Sequence, residues 1–252
     1  MLIGVSLGLI GSGGSILSIP ILVYCFGVTP EVATTHSLFI VGITAIAASY
    51  KHYRLGNLKL ATAVIFSIPS IIVLLLTRKY ILPAIPAQVF AVCSFTVSKH
   101  LLMMGLFSLL MVASAIFMIR SKDKTQTTGS TSTLKLIVIA IGVGFVTGLL
   151  GAGGGFLIVP ALLLYARLDV KSAIATSLTI ITINCLIGFV GDLINNVAFN
   201  KMLLFKVSVM ALAGMLLGIN LSKKLNGEKL KPVFGWFVLL MGLFILVKEF
   251  LF

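Results

Sequence analysis

Apolar and polar residues alternate along this chain over lengths of whole helices. Residues 3–26 and 60–76 contain no charged side chain, and short basic segments separate such apolar runs. A helix needs about 20 apolar residues to cross the roughly 30 Å hydrocarbon core of a bilayer. A membrane β-barrel would instead show short segments of alternating hydrophobicity. The pattern therefore predicts an all-α fold, a polytopic membrane protein of about eight transmembrane helices.

The predicted spans fall into two groups of four. Ala87–Val97 is too short to be assigned as a further span. Three basic segments attract a cytoplasmic assignment, but a simple eight-span count cannot place all three on one side. Either a glycine stretch forms a re-entrant segment or Ala87–Val97 is an additional crossing, so the orientation stays open. The predicted spans are Leu2–Phe26, Val32–Tyr50, Leu60–Leu76 and Leu101–Ile119 in the first group, and Leu134–Ala166, Ser172–Val190, Met202–Leu221 and Val233–Phe252 in the second.

A hydrophilic segment separates the two groups. Residues 121–133 read SKDKTQTTGSTST and contain no large apolar side chain. Such a Ser/Thr-rich composition is typical of a flexible linker. We therefore predict a first transmembrane repeat over residues 1–120, a linker over 121–133 and a second repeat over 134–252.

Both halves contain a similar glycine-rich stretch. Residues 8–22 read GLIGSGGSILSIPIL and residues 148–163 read GLLGAGGGFLIVPALL, and they align without a gap. Each glycine weakens a helix by about 1 kcal/mol relative to alanine, and the proline that follows lacks a backbone donor. The repetition predicts two homologous repeats, each with a helix that the glycines break at membrane depth.

A broken helix in a membrane exposes backbone groups that can bind a ligand. Amide groups at the start of a half-helix bind anions, and broken helices at matching positions of two halves indicate a transporter's substrate site. Neither stretch continues as a phosphate-binding or dinucleotide-binding loop would. The alternative is that the glycines only let helices pack closely. The candidate substrate-binding residues are Gly11, Ser12, Gly13, Gly14, Ser15, His36, Ser37, Gly151, Gly153, Gly154, Gly155 and Ser177.

Three of these predicted residues need further comment. His36 could titrate near neutral pH and carry a proton, or it could be a hydrogen-bonded histidine at a helix end. Ser37 and Ser177 occupy equivalent places after the two glycine stretches. Elsewhere, Gly214 and Gly218 have the spacing that lets two membrane helices approach closely, whereas the third span of the first half has Pro69 instead.

The charged residues favour an anionic substrate. The chain has 19 basic and only six acidic residues, and we expect all six acidic residues to lie in or near loops. A cation pathway usually needs carboxylates within the membrane. The basic residues lie between apolar runs, where lipid head groups attract them, so they do not indicate a nucleic-acid partner. The acidic residues are Glu31, Asp123, Asp169, Asp192, Glu228 and Glu249.

The sequence shows no apparatus for catalysis. Its three cysteines are isolated, and it contains no metal-ligand spacing and no nucleophile–base pair. We therefore expect no enzyme activity, no metal and no cofactor.

The doubled glycine stretch carries a resemblance to a known family. In a duplicated membrane protein of this size, GLIGSGGSILSIPIL and GLLGAGGGFLIVPALL resemble the sulfite exporter TauE/SafE family, also called the 4-toluene sulfonate uptake permease family. The resemblance implies a multi-pass permease of the cell (inner or plasma) membrane that moves sulfite or an organosulfonate. Its partners would be the lipid bilayer and a small anion, and homo-oligomer formation stays open. Alternating access between the repeats is the first hypothesis; an anion channel and a non-transporting accessory or scaffold protein are the alternatives.

Overall fold

The computed structural model describes residues 1–10, 15–86, 88–92, 95–120, 133–151, 153–197, 199–222 and 227–251. A π-helical turn, Ile21–Cys25, continues the helix Ser18–Pro20, and another, Thr77–Ile81, joins the helix Leu60–Leu76 to the helix Leu82–Ala84. The helices are α1 (Leu2–Ile10), α2 (Ser18–Pro20), α3 (Pro30–Arg54), α4 (Leu60–Leu76), α5 (Leu82–Ala84), α6 (Lys99–Arg120), α7 (Thr133–Leu150), α8 (Gly155–Tyr165), α9 (Val170–Ile194), α10 (Lys201–Ser222) and α11 (Gly227–Leu251).

Six helices in the described part of the chain are long and apolar enough to cross a membrane. The predicted all-α polytopic class is confirmed at this level, whereas the expected count of eight spans is not. Of the first glycine-containing span, the structure describes α1 and a short apolar helix, Ser15–Cys25. The six candidate spans are Pro30–Arg54, Leu60–Ala84, Lys99–Ile116, Thr133–Leu150, Lys171–Ile194 and Lys201–Gly218.

A two-stranded hairpin is an exception to the all-α prediction. The segment that was too short for a span forms β1 (Gln88–Val92) and β2 (Phe95–Ser98), which pair antiparallel. Val, Phe and Thr dominate both strands, and such residues favour extended backbone. Pro83 lies inside α5, so the helix continues to Ala84 instead of ending at Pro83 as the sequence predicted, and it ends before Pro86.

The long central helices begin at residues suited to helix starts. Pro30 is the first residue of α3, where its missing amide proton costs nothing. Asp169 caps α9, and its side chain accepts a hydrogen bond from the Ser172 amide at 3.2 Å. This hydrogen bond also lowers the pKa of the Asp169 carboxyl.

The centre of the bundle is an antiparallel pair, α3 and α9. Thr35 contacts Asp192 at one end of the pair, and Ser49 contacts Thr179 at 2.7 Å at the other. Both helices carry buried hydroxyl side chains and α9 also carries the buried amide of Asn184, whereas outer helices such as α4 expose Ile68 and Ile72. A polar interior with an apolar exterior is the distribution that a helix bundle in lipid requires.

Small residues bring pairs of helices together around this centre. An added Cβ at Gly214 or Gly218 of α10 would lie 2.3 Å or 2.5 Å from a backbone oxygen of the N-terminal segment, Met1 or Val5. The predicted close approach at this glycine pair is therefore confirmed. The third predicted span of the first half, which contains α4, lacks such glycines. The close contact between α4 and α7 uses glycines of α7 instead.

We expect Gly144→Ala to destabilise the α4–α7 contact. Its added Cβ would lie 2.4 Å from the Ser70 backbone oxygen, and overpacking of this kind costs about 1–3 kcal/mol. Gly142→Ala in the same helix is the matched control, because a Cβ there meets nothing within 4 Å. The midpoint of thermal unfolding in detergent should fall for Gly144→Ala only. Equal midpoints for the two variants would contradict the packing described here.

Candidate functional site

The second glycine stretch breaks the helix between α7 and α8. Gly151, Gly153 and Gly154 have φ of 64°, 71° and 66°, in the left-handed region that glycine adopts at little cost. The Gly151 amide donates to Thr147 O at 2.7 Å, and the Leu157 amide donates to Gly154 O at 2.9 Å as α8 begins. The predicted break is therefore confirmed here. The predicted residues Gly11, Ser12, Gly13 and Gly14 of the first stretch lie outside the described residues.

The break is pressed against the central helices. An added Cβ would lie 2.5 Å from Thr34 Cβ at Gly151 and 2.9 Å from Cys185 Sγ at Gly153. Two neighbours of this break, α3 and α9, are thus in direct contact with its backbone. Close packing, the alternative explanation of the glycines, accounts for part of the pattern.

A buried ion pair lies beside the break. Arg78 is 5% exposed and Asp192 is 3% exposed. Arg78 Nε donates to Asp192 Oδ1 at 2.5 Å, and Arg78 Nη2 donates to Asp192 Oδ2. Arg78 Nη1 also donates to Gly148 O at 3.2 Å, which links the pair to the end of α7.

Two threonines of α3 complete the surroundings of this pair. Arg78 Nη2 lies 3.3 Å from Thr34 Oγ1 and 3.1 Å from Thr35 Oγ1, and both hydroxyls accept from it. Thr35 Oγ1 in turn donates to Asp192 Oδ2 at 2.7 Å. The two charges are therefore held by hydrogen bonds from three helices and a π-helical turn.

This arrangement corrects our expectation for the acidic residues. Asp192 does lie near a loop, in the last turn of α9, but it is buried and paired instead of facing the solvent. The charge pattern alone could not show this, because the partner of Asp192 is 114 residues away.

Two buried threonine hydroxyls next to the break have no hydrogen-bond partner among the described residues. They are Thr147 Oγ1 and Thr77 Oγ1. Thr147 Oγ1 lies 2.3 Å from the place of an added Cβ at Gly154, and Thr77 Cβ lies 2.8 Å from that at Gly148. Buried polar atoms normally have partners, so these hydroxyls can bind a further polar group.

The other predicted residues lie apart from this cluster or use their polar groups elsewhere. Ser37 Oγ pairs with Ser18 Oγ, which also donates to the carbonyl of the buried Ser15 at 2.7 Å. Ser177 Oγ donates to Ile174 O of its own helix at 2.8 Å. Gly155 is the first residue of α8.

His36 is buried between two carbonyl groups. Its Nδ1 lies 2.8 Å from Val32 O, and its Nε2 lies 3.3 Å from Asn200 O. Its ring also packs edge-on against Phe199. The geometry matches the hydrogen-bonded histidine of the second interpretation, and its role in substrate binding stays a prediction.

Comparison with known proteins identifies the family. The family model for the sulfite exporter TauE/SafE matches residues 1–245. The chain belongs to this family. A probable membrane transporter protein of Xylella fastidiosa strain Temecula1 is 30% identical over 98% of this chain and 92% of its own length. One of Methanocaldococcus jannaschii is 26% identical over 98% of this chain and 92% of its own length.

A Bacillus subtilis relative, the probable membrane transporter protein YdhB, is 25% identical over 97% of this chain and 96% of its own length. No solved structure matches the chain significantly. As a member of the TauE/SafE family with several apolar helices, the chain is a multi-pass membrane transporter. The predicted family is thus confirmed, whereas the substrate needs separate evidence.

Sequence reasoning missed Arg78 and Asp192 as members of the site. The sequence predicted that Arg78 ends the third span, but the length of the charge-free run indicated that the helix continues past it. The charge-free helix Leu60–Leu76 has 17 residues, fewer than the roughly 20 that cross a bilayer. A span of the usual length would continue through Arg78, and in the structure it extends to Ala84.

We expect removal of one partner of the buried pair to destabilise the TauE/SafE fold. Arg78→Met should lower the free energy of unfolding by about 3–5 kcal/mol, because Asp192 then carries an unpaired buried charge. The double variant Arg78→Met/Asp192→Leu should recover most of this loss. Lys79→Met is the control, since Lys79 is exposed and surface changes cost within about 0.5 kcal/mol. Denaturant unfolding in detergent measures all three; additive losses in the double variant would contradict the pairing.

Proposed function

We propose that this chain is a secondary transporter for a small anion, sulfite or an organosulfonate, that works by alternating access between two repeats. The family description names sulfite export, and the relatives are named as membrane transporters. The proposed binding region is the break between α7 and α8 together with the equivalent residues of the first stretch. The surrounding polar side chains would orient the anion.

One observation carries the proposal: three left-handed glycines interrupt the helix just before α8, next to a buried hydroxyl without a partner among the described residues. Gly151, Gly153 and Gly154 supply the break, and Thr147 Oγ1 faces it. The start of α8 presents amide groups and the positive end of the helix dipole, both of which favour an anion.

The packing of the helices supports two related halves. In the second half α7 packs on α4, and in the first half α1 packs on α10. Gly4 and Gly144, which lie at the same spacing as Gly8 and Gly148, both contact the partner helix at backbone distance. Such exchanged packing is what a two-fold relation between inverted repeats would produce.

We place the protein in the cell membrane with its outer apolar helix faces against lipid. Exposed leucine and isoleucine side chains on α4, α7 and α10 form the surface that lipid tails would cover. The small anion is the proposed substrate, and no nucleic acid is expected as a partner. A homo-oligomer is compatible with this arrangement.

Flux measurements in liposomes test the proposal. The purified protein should take up sulfite or a sulfonate from a panel of oxoanions with saturation, and internal unlabelled anion should accelerate the uptake. Fast voltage-driven current without such exchange would instead support an anion channel. No flux of any oxoanion by the folded protein would leave the accessory-protein alternative.

Within the same assay, Gly154→Ala should lower the flux at least about tenfold, which corresponds to about 1.4 kcal/mol in the barrier. Its Cβ would occupy the space in front of Thr147 Oγ1 and strain the backbone. Gly27→Ala is the matched control, because Gly27 has φ of 64° but an added Cβ meets nothing within 4 Å. Equal flux in the two variants would contradict the role of the break.

A further inference from the structure

The Arg78–Asp192 pair holds one positive and one negative charge, and this balance restricts how an anion can bind to Arg78. Arg78 presents Nε and Nη2 to the two carboxylate oxygens of Asp192, a paired geometry that suits any oxoanion. The Asp192 carboxylate therefore occupies the place on Arg78 that a sulfite or sulfonate group would take. Both residues are buried, and their opposite charges make the pair neutral as a unit.

Arg78 is also within reach of the glycine break. Its Nη1 donates to Gly148 O, and its Nη2 donates to Thr34 Oγ1. Thr34 is the residue that an added Cβ at Gly151 would strike, at 2.5 Å from its Cβ. An anion at the break would therefore lie next to Arg78, the arginine that the described contacts place there.

Displacement of Asp192 from Arg78 would leave a bare carboxylate in a buried place. An unpaired buried charge is strongly unfavourable, and such a group usually takes up a proton instead. When an oxoanion accepts the Arg78 hydrogen bonds, a proton from water can bond to an oxygen of Asp192. The site then holds one cation, one anion and one neutral acid, and its net charge stays zero.

We propose that Arg78 binds the transported anion directly and that Asp192 takes up one proton when the anion displaces it, so that one proton accompanies each monoanion. This inference rests on the anion-transport function proposed above and adds the binding residue and the coupling ion to it. The proton leaves when the anion does, and the Arg78–Asp192 hydrogen bonds form again.

Among the described contacts, Arg78 is the charged group that binds the Asp192 carboxylate. The elements packed around α9 near Asp192 are α3, α4 with its π-helical turn, and α8, and α4 itself has no titratable side chain. Residues 50–54 of α3 and Lys171 of α9 lie toward the opposite end of the pair, where Ser49 contacts Thr179. The remaining titratable groups of these elements make no described contact with the carboxylate; they are Glu31, His36, Lys79, Tyr80, Tyr165 and Cys185.

Uptake of methanesulfonate into liposomes under a pH gradient tests the coupling, because this probe keeps one negative charge across the working range. For the wild-type protein we expect accumulation of about tenfold per unit of pH difference, acidic outside, as one-to-one coupling requires. Asp192→Asn should still exchange internal for external methanesulfonate but should lose the accumulation driven by the pH gradient. Arg78→Ala should lose both, and Lys79→Ala, at an exposed neighbour, should behave as wild type.

A second variant covers the case in which Asp192→Asn fails to fold. Thr35→Val removes the hydroxyl that donates to Asp192 Oδ2, and it should move the pH of half-maximal uptake upward, because the ionised carboxylate loses a hydrogen bond. Ser49→Ala, at the opposite end of the α3–α9 pair, should leave that pH unchanged. A merely structural role of Thr35 would change the amount of folded protein without moving the pH profile.

The outcomes separate this inference from the proposed function. Methanesulfonate flux that ignores the pH gradient in the wild type, or gradient-driven accumulation that persists in Asp192→Asn, would overturn proton coupling and leave anion transport intact. Saturable methanesulfonate uptake by Arg78→Ala would overturn the binding role of Arg78. Absence of flux for every oxoanion of the panel would overturn the transport function and this inference with it.

Discussion

The burial of two opposite charges in an apolar bundle is the constraint on which this structure depends. Arg78 lies in the span that begins with α4, and Asp192 lies in the last turn of α9. The ion pair therefore joins segments from the two halves of the chain. Thr35 of α3 and Gly148 O of α7 contribute further hydrogen bonds. Each charge alone would cost several kcal/mol in this environment. The four helices must therefore meet in one register for either charge to be tolerated.

The glycine break and the ion pair stabilise each other. A helix leaves its last carbonyls without regular partners, and in lipid such groups need partners within the protein. Arg78 supplies one for Gly148 O, and the Gly151 amide supplies one for Thr147 O. In return, the absence of side chains at Gly151 and Gly148 lets α3 and the Arg78 turn approach the break at backbone distance. A bulkier residue at the break would separate the arginine from the carbonyl it satisfies.

The sequence predicts the local elements of this fold and the break but not the contacts between them. Apolar runs locate the long helices, because span length is a property of contiguous residues. The glycine stretch at residues 148–163 likewise predicts the interruption after Leu150 from local backbone preferences. Arg78 and Asp192 escaped prediction because pairing across 114 residues leaves no trace in a linear charge pattern. The hairpin at Gln88–Ser98 was missed because an apolar run of strand length is also consistent with a short helix.

The polar lining differs between the two proposed halves even though the glycine stretches match. At the 140-residue spacing of Gly8 and Gly148, the positions of Thr34 and Thr35 correspond to Ile174 and Ala175. The two hydroxyls that contact Arg78 on α3 therefore have apolar residues at the equivalent positions of α9. In the transport function we propose, this difference favours a single anion site at the Arg78 end of α3 over two equivalent sites.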